Sequence, residues 1–95
     1  MSRRHTIIDL ASLGQFEEIV KQIKYRPSSV RDKTDLGYSA VFAAINRNDL
    51  EMLTVLADAG ASLTDADAFD RTPRSVASRN GYQEIVKFID ARTKS

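Results

Sequence analysis

Glu18-Ile19-Val20-Lys21-Gln22-Ile23 recurs as Glu84-Ile85-Val86-Lys87-Phe88-Ile89, 66 residues further along, and 66 is twice 33. Midway between them stands Glu51-Met52-Leu53-Thr54-Val55-Leu56, with the same acidic start and then apolar, apolar, polar, variable and apolar positions. A period of roughly 20–50 residues marks a repeat architecture, in which a unit buries its apolar face against its neighbours rather than alone. An independent set of positions obeys the same offset: Thr6, Ser39 and Thr72, each followed five residues later by Ala11, Ala44 and Ala77. The chain therefore reads as a single domain, residues 1–95, of three units, about 1–33, 34–66 and 67–95.

Within each unit the hydroxyl residue suits a helix N-cap, where its oxygen accepts from an otherwise orphaned backbone N–H. The alanine suits a close approach between helices. The acid of the second segment stands near the positive end of a second helix, with apolar residues at helical spacing behind it. Ile19, Val20 and Ile23 make one such stripe, Met52, Leu53 and Leu56 the next, and Ile85, Val86 and Ile89 the third. Turn formers separate the paired helices: Gly14, then Asn46, Asn48 and Asp49, then Asn80-Gly81. The spacing predicts helices over 5–13, 16–25, 39–47, 49–59, 72–79 and 82–91, stacked as an all-α helix-turn-helix solenoid.

Composition narrows the function classes. Ninety-five residues suffice for one domain, and with no cysteine neither a disulfide nor a thiolate metal site can hold it together. The 14 Lys and Arg nearly balance the 13 Asp and Glu, which argues against a dedicated polyanion binder. Ser2-Arg3-Arg4-His5 resembles the basic start of a signal peptide, but Asp9, Ser12 and Gly14 break the apolar run that follows, so no export signal is expected. Nor do about 18 apolar residues run together, as a membrane-spanning helix requires. An intracellular location, without a membrane or a cofactor, is the expectation.

Thr34-Asp35-Leu36-Gly37-Tyr38-Ser39-Ala40-Val41-Phe42-Ala43-Ala44, followed by Gly60-Ala61-Ser62-Leu63, resembles an ankyrin repeat. The third unit is similar, through Asp67, Thr72-Pro73, Ala77, Gly81 and Glu84-Ile85-Val86. Proline in the first turn costs little, because its missing N–H had no intrahelical partner there. The first unit matches mainly in its two helices and reads as an N-terminal cap. Ala40 and Phe42 replace the family's Pro and His, Asp70 replaces the turn glycine kept at Gly37, and Arg74 stands where Ile8 and Val41 are apolar. Loss of the histidine is expected to weaken hydrogen bonds between neighbouring loops. Arg74 and the polar run Asp90-Ala91-Arg92-Thr93-Lys94-Ser95 read as a C-terminal cap that completes the stack.

The resemblance implies a protein-binding module, an adaptor or an inhibitor, that meets its partner through the turns between units and the exposed side of the first helices. Carried over residue by residue, the first turn projects Lys33, Asp35, Leu36 and Tyr38, and the second Ala66, Ala68, Phe69 and Arg71. The ends of the first helices add Asn46, Arg47, Arg79 and Asn80. Leu36 and Phe69 stand one repeat apart, as do Tyr38 and Arg71, and aromatic residues and arginine are the types enriched at binding hot spots. Alternatively, Leu36 or Phe69 folds back onto its own turn and covers a helix end. A rival role is self-association into a homo-oligomer; a monomer is the expectation.

No residue pattern supports catalysis. His5, the only histidine, lies beside Arg3 and Arg4 with no nucleophile or orienting carboxylate in evident reach. Asp65, Asp67 and Asp70 lack the glycine and terminal glutamate of a calcium loop. There is no phosphate-binding glycine loop and no nucleophile elbow. Arg3, Arg4, Arg71, Arg74 and Arg79 gather positive charge, but Asp35, Asp65, Asp67 and Asp70 line the same turns, which disfavours nucleic acid.

Overall fold

The computed structural model describes residues 6–93, so Arg3, Arg4, His5, Lys94 and Ser95 lie outside the described residues. Six α-helices follow in order: α1 Ile7–Ser12, α2 Phe16–Tyr25, α3 Ala40–Asn46, α4 Leu50–Asp58, α5 Pro73–Arg79 and α6 Gln83–Thr93. A single 3-10 segment, Pro27–Arg31, follows α2. The 33-residue offset does not announce it; its signal is local, a proline at the first position, where no backbone N–H is needed.

Side-chain capping boxes explain two of the three first-helix starts. The Thr6 hydroxyl accepts from the Asp9 N–H at 3.2 Å, and the Asp9 carboxylate accepts from the Thr6 N–H at 3.2 Å. Thr72 and Ser75 repeat this exchange at 3.1 and 2.9 Å. Each pair satisfies two orphan donors at once. Ser39 corrects the expectation: its backbone is extended like the others, but its side chain makes no cap bond. The residue three on is the buried Phe42, which has no group to return a hydrogen bond, and Ser39 instead pairs by backbone with Lys33 in an isolated antiparallel bridge.

The first helices pack on one another, α1 on α3 and α3 on α5, and each packs on its own second helix. Ala11, Ala44 and Ala77 are each 0% exposed, so the small side chain at this register lets neighbouring helices close up. In the second helices Ile19, Met52 and Ile85 are fully buried. At the next register position Leu53, flanked by a unit on either side, is fully buried, Val86 slightly exposed and Val20 only half-buried. The first stripe, with Ile23 also half-buried, is thus weaker than the sequence suggests.

The tight turn inside each unit is made by a left-handed residue: Gly14, Asn48 and Gly81, at φ +73, +55 and +76°. Asn48 and Gly81 are 33 apart, but Gly14 and Asn48 are 34 apart. In the first unit the turn therefore falls one residue early, which shortens α1 to six residues against seven in α3 and α5.

Arg74 lies on the outer side of the third unit, where its guanidinium forks onto both carboxylate oxygens of Asp90 at 2.6 and 3.1 Å. The carboxylate raises the Arg74 pKa, mainly through these hydrogen bonds and secondly through its charge. Arg92, further along α6, pairs with Asp58 at the end of α4.

Candidate functional site

Two loops project between units, and the same hydrogen bonds build both. Thr34 N–H donates to Tyr38 O at 2.8 Å, and Asp67 N–H to Arg71 O at 2.9 Å. The Thr34 hydroxyl accepts from the N–H groups of Leu36 and Tyr38 at 3.3 and 3.1 Å. The Asp67 carboxylate does the same, 33 residues on, for Phe69 and Arg71 at 2.9 Å each. A short side-chain oxygen that binds its own backbone two residues on is a standard way to fix a turn. Gly37 and Asp70 both take the left-handed conformation, φ +78 and +62°. Aspartate tolerates that region better than most residues, so the departure at position 70 leaves the loop intact.

The loops are joined. Ala68 N–H donates to Leu36 O at 2.9 Å, and Lys33 Nζ meets Asp65 at 3.1 Å. Direct backbone pairing thus persists although Phe42 stands in place of histidine.

A family model described as ankyrin repeats, in three copies, matches residues 7–92. The chain belongs to the ankyrin-repeat family. No curated protein shows a significant match to it. Ankyrin repeats are generally protein–protein interaction modules.

Within this ankyrin stack the sequence-selected residues fall into two groups. Leu36 and Phe69 do not fold back: they remain 57% and 62% exposed. Asp35 is exposed as well. The second group is engaged inside the molecule. Tyr38 is half-buried, stacks on Phe42 with ring centroids 6.2 Å apart, and its hydroxyl accepts from Asn46 Nδ2 at 3.3 Å. Arg71 donates from Nε to Asp67 at 2.8 Å and lies over the Phe69 ring, 5.0 Å from its centroid. Arg47 reaches back to the first unit, where it covers Gly14 and donates to Ser12 O at 3.4 Å, placing a cation at the carbonyl end of α1.

Asn46, Arg71, Arg79 and Asn80 line one shallow cleft of about 160 Å³, with Ser75 and Val76, which the sequence reading did not select. Their signal was available, since α5 and its C-cap residue place residues 75, 76, 79 and 80 along one helical face. No carboxylate lines this cleft.

Two of the loop aspartates, Asp67 and Asp65, hold the second loop in place. The Asp67 side chain is only 5% exposed; burial pushes its pKa up, but the N–H groups of Arg71 and Phe69 and the Arg71 guanidinium outweigh this and hold it below its ordinary value. Asp65 is also held low, chiefly by the Lys33 hydrogen bond and then by Ser62. Among the described residues no group of three or more potential ligands stands close enough to hold a metal ion, and no helix is long and apolar enough to cross a membrane.

Proposed function

We propose that this ankyrin-repeat chain is a binding module, acting as an adaptor or an inhibitor, whose partner protein meets the two loop tips and the exposed ends of the first helices. The observation that carries the reading is the pair Leu36 and Phe69. Two large apolar side chains stand in solvent on loops that internal hydrogen bonds hold rigid and that one backbone bond joins. A preorganised pair loses little further entropy on docking, which favours affinity. Lys33, Asp35 and Tyr38 flank Leu36, Arg71 flanks Phe69, and Asn46, Arg79 and Asn80 extend the surface along the cleft beside them. Arg47, tied to Ser12, has the weakest claim to contact a partner. Binding of this kind acts through shape and charge, without chemistry.

The test is affinity capture with the parent chain and with a Leu36→Ser, Phe69→Ser double variant. Both positions are exposed, so the variant is expected to stay folded. A partner retained by the parent and lost by the variant supports the reading. Equal recovery by both overturns the choice of surface, and sedimentation that depends on concentration, in the absence of any partner, favours self-assembly instead.

A further inference from the structure

A second cleft, about 350 Å³, lies at the junction of the first two units, between the 3-10 segment, the start of α3 and the stretch after α4. Its size falls within the roughly 300–1,000 Å³ range of ligand pockets. Its lining includes Val30, Val41 and Phe42, which are 2, 1 and 4% exposed. Lys33 and Asp65 also line it, but their ion pair neutralises both charges. Arg31 is the exception. It is exposed, its guanidinium lies beside Gly60, and it has no ion pair or hydrogen-bond partner among the described residues. Ser39, half-buried in the same wall, likewise keeps a hydroxyl without a partner among the described residues, because it makes no cap bond.

An apolar floor, one uncompensated guanidinium and one free hydroxyl together complement an apolar group that ends in a carboxylate. Arginine is suited to the planar, two-oxygen recognition a carboxylate offers. Gly60, exposed and without a side chain, leaves one side of the cleft open for a polypeptide to run out of it. An internal acidic residue of a partner would present its carboxylate on one or two methylenes, with no larger apolar group branching from the carbon that bears it. The last residue of a chain presents both from one Cα.

We infer that this cleft binds the C-terminal residue of a partner protein, its apolar side chain against Val30, Val41 and Phe42 and its α-carboxylate on Arg31 and Ser39. The cleft borders the first loop through Lys33 and Gly37 but includes neither Leu36 nor Phe69, so either assignment can fail alone.

The experiment is a titration of the isotope-labelled chain by two-dimensional amide NMR. Three probes are used: a five-residue glycine-serine peptide ending in leucine as the free acid, the same peptide as its C-terminal amide, and 4-methylpentanoate. Expected are shifts confined to the amides around Val30–Lys33, Val41–Phe42 and Gly60–Ser62 with the free acid. Affinity is expected to be at least about tenfold weaker for the amide, the loss of roughly one charge-assisted hydrogen bond. Arg31→Gln reproduces that loss, Arg31→Lys partly restores binding, and the Leu36→Ser, Phe69→Ser variant binds as the parent does. Equal affinity for acid and amide, no shifts at millimolar peptide, or shifts elsewhere each overturn the inference. Binding of 4-methylpentanoate as tight as that of the peptide overturns the peptide assignment in favour of a small apolar acid.

Discussion

Gly37 passes so close to Asp67 of the next unit that a methyl group on it would stand 2.9 Å from the Asp67 Cα. The contact is with backbone, which cannot swing aside. Both loops are therefore seated by the same few atoms that carry the Ala68–Leu36 hydrogen bond.

This contact predicts a difference between two glycines of similar conformation. Gly81→Ala pays only for the left-handed backbone, about 1 kcal/mol, because nothing lies within 4 Å of its added methyl. Gly37→Ala adds the collision with Asp67 and is expected to cost about 2–5 kcal/mol. Urea denaturation of the two variants decides it, and equal losses would remove the close approach from the account.

In the core, Leu53→Ala is expected to cost about 2–5 kcal/mol, because Leu53 is fully buried and its unit has a neighbour on each side. A loss of that size is a large part of the stability of a small domain. Val20→Ala, at the matching position of the half-covered first stripe, is expected to cost about 1 kcal/mol or less. Similar melting temperatures for the two variants would contradict the burial gradient.

The loop held by Asp67 is sensitive to acid. Its carboxyl titrates below its ordinary value in the folded chain, so the folded state binds the proton less readily than the unfolded chain. The stabilisation is present above the unfolded pKa of about 4 and is lost as pH falls through the lower, folded value. Asp67→Asn is therefore expected to be less stable than the parent at pH 7, with the difference closing as pH falls below about 4. A gap between the two melting curves that stays constant from neutral pH into acid would rule out the ionised carboxylate as its source.

Arg47 and Gly14 should be energetically coupled. A methyl on Gly14 collides with the Arg47 guanidinium, the mobile end of a long side chain. Gly14→Ala is expected to cost about 0.5–1.5 kcal/mol less in an Arg47→Ala background than in the parent. Additive losses in a double-mutant cycle would mean that the guanidinium does not rest there in solution.

How much of this could be read from the sequence depends on the range of the interaction. The offset of 33 located the helix pairs, the capping threonines and the three buried alanines, because each is imposed in every unit by the same neighbours. It failed at Ser39, where identity of residue type hides a different partner, the Lys33 backbone. It also placed Leu36 and Phe69 at matching positions on the loops. It could not show that Tyr38 is engaged by Phe42 and Asn46, or Arg71 by Asp67, since side-chain partners are settled by packing rather than by period. Arg31 was overlooked for the same reason: the 3-10 segment that holds it does not recur, and Gly60, its neighbour in space, is 29 residues away.

The early turn of the first unit bears on modular exchange. Contacts between units keep the 33-residue count, but the bend inside a unit does not, so the point of reversal is free to slide along the chain provided the residue that tolerates a left-handed backbone slides with it. Chimeras of these units cut by counting residues would ask Gln15 to make the bend that Gly14 makes now. Chimeras cut at the bend itself would preserve it.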